Sequence, residues 1–279
     1  MRTGSRVTPM RNRVAASPYL IWMLIFILVP LAVVAYYAFT DSGGAPTLAN
    51  FLALERYLPI IANSILLALI ASVICLLIGY PVAYCMAQSS PAKQRFLMML
   101  VMLPMCMSFL LRTQALVSLL EDTGIINGYL AYFGFGPLPL TRNNGAVILG
   151  MVYNFLPYMI LPLYTVMAKL DSRLIEAAQD LGCDSKQTFL RVILPLSKAG
   201  MIAGFTMVFV PAVSTFYISK KLGGTSSVLI GDVIESQFKT VYNPNLGAAM
   251  SLGLMALVLL CIFLMNHFTD EDEEEVMTL

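Results

Sequence analysis

Residues 169–200, between two long apolar stretches, read KLDSRLIEAAQDLGCDSKQTFLRVILPLSKAG. Apolar residues recur in the first half of this segment at helical spacing, with charged residues between them, which predicts a short amphipathic helix capped by Asp171 or Ser172. Gly182 is typical of the residue that ends such a helix. A second short helix is expected from Asp184 or Ser185 until Pro195 starts the next apolar stretch. The pattern therefore predicts a helical hairpin outside the membrane to which another protein can bind.

The stretches around this segment are apolar enough to lie in lipid. Apolar residues make up 58% of the 279 residues, charged residues make up 12%, and the mean hydropathy is +0.79. These values exclude an ordinary soluble domain, and a net charge of +1 gives no reason to expect a nucleic-acid partner. A bilayer needs about 20 apolar residues per helix. Six such windows lie in residues 14–40, 57–92, 96–120, 143–168, 199–219 and 240–266.

We therefore predict an all-α membrane protein with six transmembrane helices, the third interrupted by Arg112. Basic residues favour cytoplasmic loops. With the amino terminus inside, the inner segments hold 11 of the 17 lysines and arginines, so both termini are expected in the cytoplasm. The predicted parts are a cytoplasmic segment 1–17, a first transmembrane helix 18–40, a five-helix core 58–268 that includes the loop 170–195, and an acidic cytoplasmic tail 269–279. Residues 124–135 and 227–241 are predicted to form amphipathic helices on the outer surface.

The hairpin segment carries a spaced motif. Glu176-Ala177-Ala178, three residues, Gly182, nine residues and then Val192-Ile193-Leu194-Pro195 resembles the EAA signature of ABC-importer permeases, with Val192 where isoleucine is usual. The resemblance implies the type I ABC importer (MetI-like) permease fold, in which this loop is a coupling helix that docks into a cytoplasmic ATPase. It also implies that Glu176 makes a polar contact with the ATPase, that Ala177 and Ala178 allow close approach, and that Gly182 sets the turn. Leu194 and Pro195 complete the motif.

Over nearly the whole chain the sequence resembles, more narrowly, the PotB-like permeases of spermidine and putrescine importers. The matching stretches are Asn63-Ser64, Gly79-Tyr80-Pro81 with Ala83-Tyr84, Leu111-Arg112-Thr113, Gly124-Ile125-Ile126-Asn127, residues 152–164, and Leu222-Gly223-Gly224 with Gln237-Phe238. Two departures stand out. Gln114-Ala115-Leu116 occupies the place of a usual Tyr-Ala-Trp, and Lys220 with Lys221 occupies the place of a usual acid. Both departures weaken the match to a cationic substrate and leave the permease assignment unchanged.

The resemblance also implies the partners of this chain. They are a cytoplasmic ATPase dimer (PotA-like) that uses ATP and Mg, a second permease (PotC-like) in a heterodimer, and an extracytoplasmic binding protein (PotD-like), around a bacterial inner membrane. The chain itself then carries no cofactor and is not an enzyme. Closing of the ATPase pair would pull the coupling hairpins together and open a central cavity outward.

Polar side chains inside spans tend to face a polar interior or water, and they are the candidates for a substrate pathway. These candidates are Arg112, Gln114, Tyr153, Asn154, Tyr158, Ser214, Thr215 and Tyr217, with an acidic outer mouth formed by Glu121, Asp122, Asp232 and Glu235. Each position is equally compatible with a helix-to-helix hydrogen bond or a solvated face. No catalytic or metal site is predicted, since the single histidine, His267, and the scattered cysteines have no suitable partners in the sequence.

Two alternatives stay open. One is an ABC permease for another small solute, such as ferric iron, thiosulfate or a phosphonate. The other is a stand-alone secondary transporter, which explains the spans and leaves the hairpin unexplained.

Overall fold

The described chain consists of helices joined by turns. A computed structural model describes residues 18–19, 21–134, 136–224 and 227–277, with the side chains of Ser172 and of residues 266–277 outside this description. The predicted segment 1–17 and the side chains of the acidic tail therefore lie outside the described residues. The main helices are α1 Ile21–Ala38, α2 Leu58–Ala87, α3 Pro91–Met102, α4 Phe109–Leu120, α5 Ile125–Tyr132, α6 Asn144–Met167, α7 Ser172–Asp180, α8 Ser185–Leu196, α9 Lys198–Val213, α10 Ile230–Lys239 and α11 Pro244–Met277.

Four helical stretches in the described chain are long and apolar enough to cross a membrane without a break: Ile21–Ala38, Ala49–Ala87, Asn144–Met167 and Pro244–Met265. Two further stretches are bent pairs. Pro91–Cys106 and Phe109–Tyr132 meet at 90°, and Ser185–Leu196 and Lys198–Ser214 meet at 62°. Counted as one span each, the bent pairs bring the number to six, which agrees with the predicted windows.

Each bend follows a proline. After the 3₁₀ turn Leu103–Cys106, which contains Pro104, Met107 takes an extended conformation and the helix restarts at Phe109. The second bend lies at Ser197, two residues beyond the predicted end of the hairpin at Pro195. Helix α8 runs through Pro195 because the π-helical turn Phe189–Ile193 precedes it, and a widened turn accommodates a residue that has no backbone N–H.

The residues group into two compact units, and the first contains the described part of residues 1–56 together with 236–255. Its buried centre is Ala38 with Ala248 and Ala249. The side-chain amide of Asn245 donates to the carbonyl oxygens of Tyr37 at 3.1 Å and Thr40 at 2.7 Å. These bonds tie the start of α11 to the chain at the end of α1, where backbone carbonyl groups lack regular helical partners.

The second unit contains residues 57–235 and the described part of 256–279, and α6 packs on both α2 and α9 within it. Helix α2 presents a buried face of mostly small residues at helical spacing: Ser64, Ala68, Ala71, Ser72, Cys75, Gly79 and Ala83. A Cβ atom added at Gly79 would lie 3.0 Å from Cγ of Met159, and one added at Gly204 of α9 would lie 2.8 Å from Sδ of the same residue. Met159 is thus held between glycines of two helices, an arrangement typical of close helix packing in membranes.

Gly204→Ala is expected to lower the thermal unfolding temperature. The new Cβ would lie 2.8 Å from the Met159 sulfur and 3.1 Å from the Met159 carbonyl oxygen. The carbonyl oxygen belongs to the backbone of α6 and therefore cannot easily shift away. Overpacking of this kind costs about 1–3 kcal/mol. The matched control is Gly128→Ala on α5, where an added Cβ meets nothing within 4 Å. Both variants gain the same helix propensity, so equal unfolding temperatures in detergent would contradict the close packing.

Candidate functional site

The hairpin predicted from residues 169–200 is present as α7 and α8, the two helices that follow α6. Asp171 is the N-cap of α7, since its Oδ1 accepts a hydrogen bond from the backbone N–H of Arg173 at 3.0 Å. Asp184 is the N-cap of α8 and forms a capping box with Gln187, whose backbone N–H lies 2.6 Å from Asp184 Oδ1. The structure thus selects the aspartate from each predicted pair of capping residues.

Gly182 joins the two helices with a left-handed turn. Its φ is +87°, and its backbone N–H donates to the carbonyl oxygen of Gln179 at 2.9 Å. The N–H of Cys183 donates to the carbonyl oxygen of Ala178 at 3.1 Å. These two bonds form a Schellman motif, in which glycine takes the positive φ without a steric penalty. The predicted role of Gly182 as the turn residue therefore has a backbone geometry that fits it.

Two leucines of the hairpin's apolar stripe are open to water. Ala178 is 8% exposed, whereas Leu174 is 48% exposed and Leu181 is 87% exposed. Leu174 and Leu181 are seven residues apart, which places both on one face of α7. A leucine pair mounted on a capped helix and open to water presents an apolar contact surface. Among the other motif residues, Glu176, Ala177 and Pro195 are also exposed, and Leu194 is half-buried.

Glu176 has a second feature, since it borders a cavity of about 340 Å³ beneath the hairpin. The other residues that line this cavity come from α7, α8, the end of α6 and the end of α2, and they include Gln88, Met167, Leu170, Ile175 and Ile193. The hairpin therefore has an apolar face open to water and, on its other side, a cavity bordered by α2 and α6.

Inside the helices, the structure brings two of the predicted pathway residues close to the same position. Asn154 on α6 is fully buried, and its side-chain amide donates to Thr113 Oγ1 at 3.3 Å and to the Gly150 carbonyl oxygen at 2.9 Å. Arg112, the neighbour of Thr113 on α4, is 4% exposed. Its Nε and Nη1 atoms, like Asn154 Oδ1, have no hydrogen-bond partner among the described residues. Arg112 thus faces a protein interior rather than extending to the surface.

An aromatic row lies next to this position. The ring of Phe109 is 6.2 Å from the ring of Tyr217 and 6.3 Å from that of Phe155, which is in turn 6.3 Å from Tyr158. Tyr158 and Tyr217 were predicted from the sequence, whereas Phe109 and Phe155 were not. Phe109 begins the helix that follows the 90° bend. The sequence signal that could have indicated Phe109 is Pro104, which lies in the break before this helix. We call these four residues the aromatic row.

The remaining predicted residues of the spans lie elsewhere. Gln114 and Tyr153 are on exposed faces of α4 and α6. Ser214 is exposed, and its hydroxyl donates to the Val210 carbonyl oxygen of its own helix at 3.1 Å. Thr215 is buried, and its backbone packs closely against Gly231. A Cβ atom added at Gly231 would lie 2.5 Å from the Thr215 carbonyl oxygen.

Both lysines that counted against a cationic substrate have a partner in this chain. Lys220 Nζ lies 3.1 Å from the carboxylate of Glu235. Lys221 Nζ lies 5.9 Å from the ring centroid of Tyr217, at one end of the aromatic row. A lysine side chain ends in an alkylammonium group. The Glu235 carboxylate and the Tyr217 ring therefore each already contact an alkylammonium group.

The four residues of the predicted acidic mouth lie on two elements of the chain. Glu121 and Asp122 are exposed on the turn between α4 and α5, whereas Asp232 and Glu235 lie on α10. Burial raises the pKa of the Asp232 carboxyl above its usual range, and the hydrogen bond from the Leu229 backbone N–H opposes this rise. Asp232 Oδ1 is buried and has no partner among the described residues.

The chain is similar to membrane components of transport systems. The family model described as "Binding-protein-dependent transport system inner membrane component" matches residues 9–270. The spermidine/putrescine transport system permease protein PotB of Haemophilus influenzae is 40% identical over 252 residues, which cover 87% of this chain and 88% of the relative. PotB of Escherichia coli (strain K12) is 36% identical over 253 residues, which cover 85% of this chain and 92% of the relative. A chain of a bacterial alginate ABC transporter, in complex with an alginate pentasaccharide-bound periplasmic protein, shares the fold, with a TM-score of 0.76 at 15% identity over 93% of this chain and 94% of that one.

Gly182→Ala is expected to loosen the hairpin turn. A Cβ at Gly182 meets nothing within 4 Å, so the penalty is the strain of the positive φ, about 1–2 kcal/mol. In this variant, hydrogen exchange at the backbone amides of position 182 and of Cys183 should become about fivefold to thirtyfold faster. Gly182→Asn should show a smaller change because asparagine tolerates the left-handed region. Unchanged exchange in Gly182→Ala would contradict the turn geometry.

Proposed function

The chain belongs to the family of binding-protein-dependent transport system inner membrane components, and from this premise we propose that its substrates are polyamines of the spermidine and putrescine type. It is a multi-pass inner-membrane permease of an ABC importer, and ATP is hydrolysed by a separate subunit. The family model and the shared fold confirm the ABC-importer permease family and the MetI-like fold that the EAA resemblance implied. The observation that carries the substrate proposal is the similarity to two permeases that are named for spermidine and putrescine transport.

The hairpin supports the proposal on the cytoplasmic side. In the proposed assembly the face with Leu174 and Leu181 enters a cleft of the ATPase, where burial would contribute roughly 1.5–3 kcal/mol for Leu181 and about half as much for Leu174, which is already half-buried. The N-caps and the Schellman turn keep this face in one geometry before docking, which lowers the ordering cost of association. Glu176 and Ala177 remain exposed for contact with the ATPase, as the motif implies.

The aromatic row supports a cationic substrate. A polyamine is a flexible alkyl chain with ammonium groups at its ends, and such groups are attracted to aromatic faces. In the proposed pathway the polyamine meets Tyr217 and Glu235, where Lys221 and Lys220 hold an alkylammonium group in the absence of substrate. The buried charge of Arg112 repels ammonium groups, which favours passage over tight retention.

The proposed partners complete the importer. They are a PotA-like ATPase dimer that uses ATP and Mg, a PotC-like second permease and a PotD-like binding protein on the outer side. Both termini of the chain are placed in the cytoplasm in this proposal, on the same side as the hairpin. Substrate release on the inner side then depends on two conformations that differ in affinity for the polyamine.

The substrate proposal is tested by uptake into proteoliposomes that contain the importer assembled around this chain. We expect radiolabelled spermidine or putrescine to accumulate only when ATP and the binding protein are both present. Accumulation of thiosulfate, a phosphonate or ferric iron in place of polyamine would sink the substrate proposal and leave the permease intact. Solute movement by the purified chain without any ATPase would instead favour a stand-alone transporter.

Leu181→Asp tests the docking face. The substitution puts a charge on the most exposed residue of the face and is expected to weaken ATPase binding about tenfold or more, as loss of an interface anchor does. The control is Gln179→Asp, which adds the same charge at an exposed position of α7 on another face. The measurement is the affinity of the purified permease for the ATPase. Equal loss in both variants would show that the charge, and not the leucine face, determines binding.

A further inference from the structure

A buried tyrosine on α2 is bonded to the residue at which the second bend occurs. The hydroxyl oxygen of Tyr80 lies 2.8 Å from Oγ of Ser197, and both side chains are buried. Ser197 is the one residue between the end of α8 at Leu196 and the start of α9 at Lys198, where the two helices meet at 62°. The bond therefore joins α2 to the hinge point between the hairpin and the following span.

The direction of this bond follows from the other contact of Ser197. The Ser197 hydroxyl donates its proton to the Leu194 carbonyl oxygen at 3.0 Å. A hydroxyl has one proton to donate, so with Tyr80 as the donor towards Ser197 both hydroxyl protons are used in hydrogen bonds. Ser197 is thus tied to its own helix through Leu194 and to α2 through Tyr80. The bond between Tyr80 and Ser197 is buried and the bond to Leu194 is partly buried, so a polar group left without its partner here would be costly.

A second contact joins the same two helices. The ring of Phe189, which begins the π-helical turn of α8, meets the ring of Tyr80 edge-on at 5.6 Å and the ring of Tyr84 edge-on at 6.0 Å. Tyr80 and Tyr84 are one helical turn apart on α2 and therefore lie on the same side of that helix. Helix α2 thus holds α8 both at its π-helical turn and at the bend that follows.

We propose that Tyr80 is a positioning residue that couples the hairpin to the span α2, so that displacement of the hairpin moves α2 and α9 together. This proposal rests on the proposed function, in which the ATPase displaces the hairpin. Without the Tyr80 hydroxyl, α8 can pivot at Ser197, and part of the displacement is taken up as bending of the hinge. ATP hydrolysis then continues while less substrate crosses for each ATP consumed.

The test variant is Tyr80→Phe, which keeps the ring and its contact with Phe189 and removes only the hydroxyl. Its matched control is Tyr84→Phe, because the Tyr84 hydroxyl makes no hydrogen bond within the described part of the chain. In the assembled importer, Tyr80→Phe is expected to lower substrate uptake per ATP hydrolysed by about twofold to tenfold, the factor that corresponds to one net hydrogen bond. Tyr84→Phe is expected to keep the wild-type ratio.

A second measurement separates positioning from general destabilisation. The amide of Ser197 donates to Ile193 of α8, and the amide of Met201 donates to the carbonyl oxygen of Ser197. Hydrogen exchange at both amides should be faster in Tyr80→Phe than in Tyr84→Phe or the wild type. In a double-mutant cycle, Tyr80→Phe combined with Ser197→Ala should lower the uptake ratio no further than the larger of the two single effects. Additive losses would show that the two hydroxyl groups act independently and would overturn the proposal.

The proposal also fails if Tyr80→Phe and Tyr84→Phe give the same uptake ratio and the same exchange at the bend. Its failure is distinguishable from failure of the substrate proposal, because uptake per ATP can be measured with whichever solute the importer carries. The amide exchange needs neither solute nor ATPase, so it reports on the hinge even if this chain transports without a partner. If the amides at the bend exchange in Tyr80→Phe as slowly as in the wild type, that result alone overturns the positioning role.

Discussion

The packing of Met159 between Gly79 and Gly204 is the contact on which the rest of the second unit depends. Lipid tails are as apolar as side chains, so helices in a membrane gain little from hiding apolar surface and associate mainly through close van der Waals contact. The two glycines let α2 and α9 approach α6 closely enough for that contact to form. The hairpin leaves from the end of α6 and returns into α9, so both of its attachment points belong to helices that are held together.

This arrangement explains why a short pair of helices can carry an exposed apolar face. A helix the length of α7 is marginal in isolation. Here Asp171 caps the amino end of α7, and the turn at Gly182 supplies hydrogen bonds to carbonyl groups at its other end. The neighbouring helix α8 begins with the capping box of Asp184. Local hydrogen bonds and rings from α2 fix the hairpin, which leaves Leu174 and Leu181 free for a partner.

The charges of the chain fit an importer that handles cations without holding them strongly. Lys220 and Lys221 contact a carboxylate and an aromatic ring instead of standing as free positive charge. An incoming ammonium group would compete with them for the same partners. Arg112 adds a buried positive charge on α4, next to Thr113, whose hydroxyl accepts a hydrogen bond from Asn154.

The sequence by itself determined the features that depend on neighbouring residues. Charge-free windows predicted the spans, the spacing of Leu174, Ala178 and Leu181 predicted α7, and Gly182 predicted the turn, because caps, periodicity and left-handed glycines act over a few residues. The spaced EAA motif predicted the family in the same way. Among the pathway candidates, polarity alone gave Asn154 and Tyr158 no preference over Gln114 and Tyr153, which lie on exposed faces.

Only the tertiary structure decided which distant residues meet. It placed the bend at Ser197 rather than at Pro195, paired Lys220 with Glu235, and put Phe109 and Phe155 into one aromatic row. The bond between Tyr80 and Ser197 joins residues 117 positions apart. No local pattern marks such a pair, since each partner reads as an ordinary residue of its own helix. Their meeting follows from how closely α2, α6 and α9 pack, and that distance is set by side-chain shapes across three helices.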